Sequence, residues 1–352
     1  MNNTIIHNNT IFQSLKIRIK SVPEHLSSTE RTGIDTQTSS PFLTIVHKEV
    51  ADHIKSWRFI ILVAIIALTC FGSVYTAVTS MGKAVKQADP ETAFFFLKLF
   101  TVSDGSIPAF FTFIGFLGPL LGIALGFDAV NSEQNKGTLS RILAQPIPRD
   151  YIINAKFVAA LVVISIMLFA LGFLVMGFGL IFVGIPPTAG EFMRIIFFLT
   201  LSIIYVAFWL NLSIFFSIKF RQPATSALSG IAVWLFFTIF YALIINMATR
   251  SMTPPQFAPD YVMIRFENFK LALMRFAPNQ LFSEATTTLL MPNIRSLGPL
   301  TVEQIEGAIP GPLPLSQSVL LVWPQLTGLI AASILCFVLS FRSFMRREIR
   351  SR

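Results

Sequence analysis

Six stretches, at residues 59–81, 107–127, 158–183, 195–218, 226–247 and 319–341, contain no Asp, Glu, Lys, Arg or His. Crossing the ~30 Å of hydrocarbon in a bilayer takes about 20 apolar residues as a helix, and each run meets that length. Within hydrocarbon only helices and closed barrels satisfy their own backbone polar groups, and runs apolar on every side are helices. Charged residues make up 13% of the chain, against about a quarter in soluble domains. The expected fold class is an all-α integral membrane protein with six transmembrane helices. An interfacial amphipathic helix precedes the first span, and a large outer loop precedes the last.

Lys and Arg set the orientation, because cytoplasmic flanks retain positive charge. With the N-terminus inside, inner segments hold 18 of the 27 Lys and Arg, and Arg342, Arg346, Arg347, Arg350 and Arg352 follow the last span directly. Both termini are therefore expected to be cytoplasmic, in a multi-pass protein of the cell (inner) membrane. This bias, together with attraction to anionic membrane lipid, explains the net charge of +9 without a nucleic-acid partner.

Residues 1–40, rich in Asn, Ser and Thr, read as a disordered cytoplasmic tail, within which 11–20 mixes apolar residues with Lys16, Arg18 and Lys20. Residues 42–57 carry Leu43, Val46, Val50, Ile54 and Trp57 at intervals of three and four, with His47, Lys48, Glu49, Asp52, His53 and Lys55 elsewhere. That spacing predicts an amphipathic helix in the interface, started by Pro41 and capped by Ser40, with its apolar face toward lipid or the bundle.

In the second span Gly118, Gly122 and Gly126 stand at four-residue spacing, with Gly115 nearby. Such a stripe lets a neighbouring helix approach closely, and Pro119 can bend the span. Cys70 and Cys336 lie within spans and read as small hydrophobes. His7, His25, His47 and His53 show no metal-ligand spacing. Asn211 and Asn246 are the notable polar residues of the spans and read as interhelical hydrogen-bonding partners.

Between the second and third spans, residues 128–157 form a polar, punctuated segment. Gly137 breaks it, Thr138 is expected to cap a short helix through Gln145, Pro146 and Pro148 end that helix, and Asp150 caps the next. On the short helix Leu139, Ile142 and Leu143 make an apolar face beside Arg141, and an apolar face outside the bilayer implies a protein partner.

The residues Glu133, Gly137-Thr138-Leu139, Leu143, Pro146, Arg149 and Lys156 resemble the same segment of ABC-2 type permeases, and come close to the nitrous-oxide-reductase maturation group of that family. The resemblance runs from about Pro41 to the C-terminus and is strongest over 128–156. It implies a permease domain over 41–341 with a basic tail at 342–352. It further implies a coupling helix docking on a separate ABC-type ATP-binding subunit, a homodimer of the permease, and export of a substrate. On that likeness Leu139, Ile142 and Leu143 enter the ATPase groove, while Glu133, Arg141 and Arg149 orient it. Gln134 stands where the family more often places Arg after Glu. No G-x-x-x-x-G-K-[ST] loop occurs, so no cofactor is expected on this chain, and ATP and Mg would sit on the partner. No hydrolytic or metal motif marks the chain as an enzyme.

The outer loop, 248–318, holds nine of the twenty prolines. Residues 261–276 and 279–290 within it read as amphipathic helices or a re-entrant element, serving as a lid or as a dock for an extracytoplasmic partner. The alternative function is a non-transporting scaffold that passes ATP-driven motion to such a partner in metalloenzyme maturation.

Overall fold

A computed structural model describes residues 40–84, 94, 96–103, 105, 107–184, 186–255, 257–294 and 312–346. The N-terminal stretch 1–39, including 11–20, and the tail beyond Arg346 lie outside the described residues.

All regular structure among the described residues is helical, and six helices are long and apolar enough to cross a membrane. In chain order the elements are α1 (Pro41–Ile54), α2 (Trp57–Ala84), α3 (Lys98–Thr101), α4 (Phe110–Gly126), α5 (Asn131–Asn135), α6 (Thr138–Leu143), α7 (Arg149–Val183) and α8 (Ala189–Lys219). There follow α9 (Pro223–Leu235), a π-turn at Phe236–Phe240, α10 (Tyr241–Arg250), α11 (Asp260–Met274), α12 (Pro278–Leu290) and α13 (Leu315–Met345). The spans are α2, α4, α7, α8, the α9–α10 pair and α13.

The helices run past the apolar stretches that announce them. α7 has 35 residues, about 52 Å at 1.5 Å per residue, so its first turns project beyond a ~30 Å core. α8 starts at Ala189 because Thr188 accepts from Glu191 N while Glu191 bonds back to Thr188, a reciprocal cap that satisfies helix-start donors. These longer starts draw Lys156, Glu191 and Arg194 into helices, where all three are buried. The charge-free reading holds for the apolar stretches but not for the whole packed interior.

α8 is the centre of the bundle. Two-thirds of its apolar window is buried, against 11% for the α9–α10 span. Trp209, Tyr205 and Phe198 on α8 are fully enclosed. α4 reaches α8 through its glycines: a Cβ on Gly122 would fall 2.7 Å from Val206 O, and one on Gly126 2.8 Å from Ser213 Cβ. Asn211 Nδ2 donates to Ser333 Oγ of α13 at 3.0 Å, and Ser340 Oγ donates back to Asn211 O, so this polar residue joins two spans. Asn246 is exposed.

The segment before the last span folds inward. Tyr241 Oη donates to Leu273 O at the end of α11 (2.7 Å), and Asn279 Nδ2 to Phe237 O in the π-turn (3.3 Å). Phe282 of α12 stacks on Tyr205 with ring centroids 4.3 Å apart. α12 then ends where Arg194 Nη1 donates to Leu289 O at 3.0 Å. Arg194 and Tyr205 are about 16 Å apart along α8, so α12 packs lengthwise into the bundle as the second arm of a hairpin, whereas α11, its first arm, buries no residue and is tied at its end to Tyr241. Arg194 also binds Ser318 Oγ and Leu313 O, so its guanidinium fastens the exit of this hairpin to the start of α13.

Candidate coupling site

The polar segment after α4 is tied down at each step. Asp128 Oδ2 pairs with Arg58 Nη1 at 2.7 Å, and the same guanidinium lies over the Phe127 ring. The backbone N–H groups of Val130 and Asn131, otherwise unpaired at the start of α5, both donate to Ser217 Oγ at the end of α8 (2.9 and 3.2 Å). Asn135 Nδ2 donates to Arg221 O at 2.9 Å. Gly137 then takes φ 68°, a left-handed turn that separates α5 from α6 and favours glycine. Thr138 is not a cap: it is the first residue of α6, and its hydroxyl donates back to Glu133 O. α6 ends at Leu143, short of Gln145. α7 begins at Arg149 after Pro148, with Asp150 in its first turn making no side-chain cap; there its charge still complements the helix dipole.

Beneath α5 and α6 lies an ion cluster. Lys156 Nζ on α7 donates to Glu133 Oε1 of α5 at 2.8 Å and to Glu49 Oε2 of α1 at 3.1 Å. The Lys156 side chain is 5% exposed, and those of Glu49 and Glu133 are 10% and 13% exposed. Lys48 covers the cluster from the solvent side, 2.9 Å from Glu49 Oε1 and within reach of Asp52 and Glu133. Burial alone would raise the Glu49 carboxyl, but Lys156 and then Lys48 outweigh it and hold the group below its ordinary 4.5. Lys48 is pushed the opposite way, above its ordinary value: burial opposes its charge, and Glu49, Asp52 and Glu133 overcome that. His53, half-buried on the same helix, is lowered from 6.5 first by burial and then by Lys156, against the pull of Glu49, Asp128 and Asp52. The cluster joins three separate elements, the interfacial helix, the polar segment and the third span.

Residues 43–349 match the sequence pattern of the ABC-2 family transporter proteins. The chain belongs to this family. It is also similar to a protein described as a probable ABC transporter permease protein, NosY, of Pseudomonas aeruginosa (strain PAO1). The two are 23% identical over 209 residues, covering 57% of this chain and 68% of the relative. The protein is thus a multi-pass ABC-2 membrane permease, and its family implies an ATP-binding partner subunit.

In this ABC-2 permease the residues read as a docking face divide into two groups. Leu139 is 2% exposed, and Ile142 and Leu143 are packed against the chain's own core, so the apolar side of α6 seats the helix on its own bundle. Glu133 likewise turns inward to Lys156. What faces away is Lys136, Gly137, Arg141, Gln145, Pro146 and Arg149. On α1, Val46 and Val50 pack toward Ala155 and Ala159 of α7, whereas Leu43 and Ile54 stay exposed at 49 and 51%; α1 ends at Ile54, and Trp57, expected within it, instead begins α2 and is 76% exposed. The apolar residues of α1 therefore serve two directions, and Glu49, assigned to the polar face by spacing, is buried between them. A signal for this was available: Lys156 stands two residues before a charge-free apolar run, where an ammonium needs a carboxylate partner.

Proposed function

We propose that this chain is the membrane-spanning subunit of an ATP-driven exporter, in which a separate ATPase docks on the outward side of α5–α6 and moves the spans through the Lys156 cluster. The observation that carries this reading is the bracing of one polar segment to α1, α2, α7 and α8 by Glu49, Arg58, Lys156 and Ser217. A force applied at α6 reaches four helices through polar contacts, and through Ser217 it reaches the central one. Arg141 and Arg149 supply positive charge for the ATPase surface, where such charge guides encounter and register. Two permease copies and two ATPase copies would form the complete machine in the cell membrane, with the coupling face and both termini in the cytoplasm. The α9–α10 span, least covered within one chain, is the face offered to the second copy.

The test is co-purification of the ATPase with full-length Arg141→Glu/Arg149→Glu, in detergent. The expected result is at least a tenfold loss of ATPase capture with unchanged membrane insertion, since both side chains are exposed. Wild-type capture and wild-type transport by this variant would remove docking from α6. The scaffold reading keeps one supporting feature, the uncovered Tyr261 at the start of α11, 72% exposed. ATP hydrolysis without substrate movement in sealed vesicles would favour it.

A further inference from the structure

On the side of the bundle that carries the coupling segment, α7 and α13 part to leave a cleft of about 550 Å³, within the ~300–1,000 Å³ range of sites that hold a small molecule. Phe337, Val338 and Phe341 of α13 form its apolar wall, Asn154 faces it from α7, and Arg342 and Arg346 close its end. The wall is fixed in place: Phe337 packs on Phe157 of α7 with centroids 5.2 Å apart, and on Phe341 at 6.3 Å. The two arginines are one turn apart on the same helix face and both exposed. Among the described residues neither takes part in an ion pair.

Two like charges at i and i+4 repel, and an anion bound between them turns that repulsion into attraction. A free anion has no use for the phenylalanine wall above them, and a neutral lipid has no use for the guanidinium pair. We propose that the cleft binds one anionic phospholipid, its phosphodiester on Arg342 and Arg346 and an acyl chain along Phe337 and Phe341. Planar guanidinium groups suit a phosphate, which they hold through paired hydrogen bonds. Basic pockets between spans are established places for acidic headgroups in membrane proteins generally. The bound lipid would also touch Asn154, two residues before Lys156 on α7, so its occupancy bears on the helix that carries the ion cluster. This site goes beyond the exporter reading and does not depend on the substrate.

The test uses the full chain in nanodiscs of phosphatidylcholine with and without phosphatidylglycerol, and counts by native mass spectrometry the lipids retained on gentle release. The wild type is expected to retain phosphatidylglycerol in clear preference to phosphatidylcholine. Arg342→Gln/Arg346→Gln should lose that preference by tenfold or more, while Arg250→Gln, at the other end of the bundle, should keep it. Arg342→Lys/Arg346→Lys preserves charge and fold and should show a severalfold reduction, which keeps the test decisive if the Gln pair folds poorly. Excess glycerol 3-phosphate should not displace the lipid. Equal retention of both lipids by the wild type, an undiminished preference in the double Gln variant, or displacement by glycerol 3-phosphate would each overturn the proposal.

Discussion

Lys156 and Glu133 are 23 residues apart in sequence, yet Lys156 Nζ stands 2.8 Å from Glu133 Oε1 with the second carboxylate of Glu49 on its other side. One buried ammonium between two carboxylates holds α1, α5 and α7 in a single arrangement. Removing water from three charges is costly, and such a group is stable only while every member is present.

Lys156→Met therefore leaves two nearly buried carboxylates with only the half-exposed Lys48 as a partner. Breaking a buried pair by deleting one partner costs about 3–5 kcal/mol, and the expected outcome is a large drop in thermal stability in detergent with release of α1 from α7. Lys156→Met/Glu49→Gln/Glu133→Gln removes the stranded charges and should recover much of that loss. A triple variant as unstable as the single one would show that the ammonium acts by packing, not by charge.

The same cluster gives α1 docking a pH dependence whose sign follows from two lowered groups. For a group whose value is lower when docked, the stabilisation is present above its ordinary value and disappears as pH falls. His53 should begin to weaken docking below about 6.5, where the released imidazole takes up a proton, and Glu49 should add a second loss below 4.5. Thermal unfolding followed against pH should show both steps, and His53→Gln should remove the upper one alone.

Apolar length made the six spans readable, since no other structure accommodates such runs in lipid. Gly137 was readable as a break because a left-handed residue between two short helices favours glycine. The π-turn at Phe236–Phe240 was not, as FFTIF contains neither Gly nor Pro, and the freed Phe237 carbonyl is met by Asn279 from a different element. The inward face of α6 was misread for a related reason. Leu139 looks like a partner-facing residue when the helix is considered alone, and only the tertiary arrangement shows its own bundle beneath it. Periodicity identifies a face but leaves open what that face meets.

The α4–α8 contact offers a graded test of close packing. A Cβ on Gly122 would meet the backbone at Val206 O, which no rotamer change can relieve, whereas at Gly177 no atom lies within 4 Å. Overpacking a tight interior costs about 1–3 kcal/mol, so Gly122→Ala should lower the unfolding temperature measurably. Gly177→Ala replaces glycine at a half-buried helix position with open space beside it and should be neutral or slightly stabilising. Equal behaviour of the two would place α4 farther from α8 than the structure does.

Glu284 provides the corresponding test for the α11–α12 hairpin. Its carboxylate accepts from Arg275 Nε at 2.9 Å, Gln280 Nε2 at 3.0 Å and Gln325 Nε2 of α13 at 3.0 Å. Gln325 is 3% exposed, so Glu284→Leu leaves its amide without this acceptor. Each buried group left unsatisfied costs about 1–3 kcal/mol. Arg275, 38% exposed, can turn to water instead, and Arg275→Ala should cost no more than the ~0–1 kcal/mol typical of a solvent-accessible pair. Limited proteolysis between α11 and α12, read beside thermal unfolding, distinguishes the two roles. Glu284→Leu should both lower the melting temperature and expose the hairpin to cleavage, while Arg275→Ala should leave cleavage near the wild-type level. If Glu284→Leu stays protected, the hairpin is held in place by the Phe282–Tyr205 stack, and Phe282→Ala becomes the substitution that frees it.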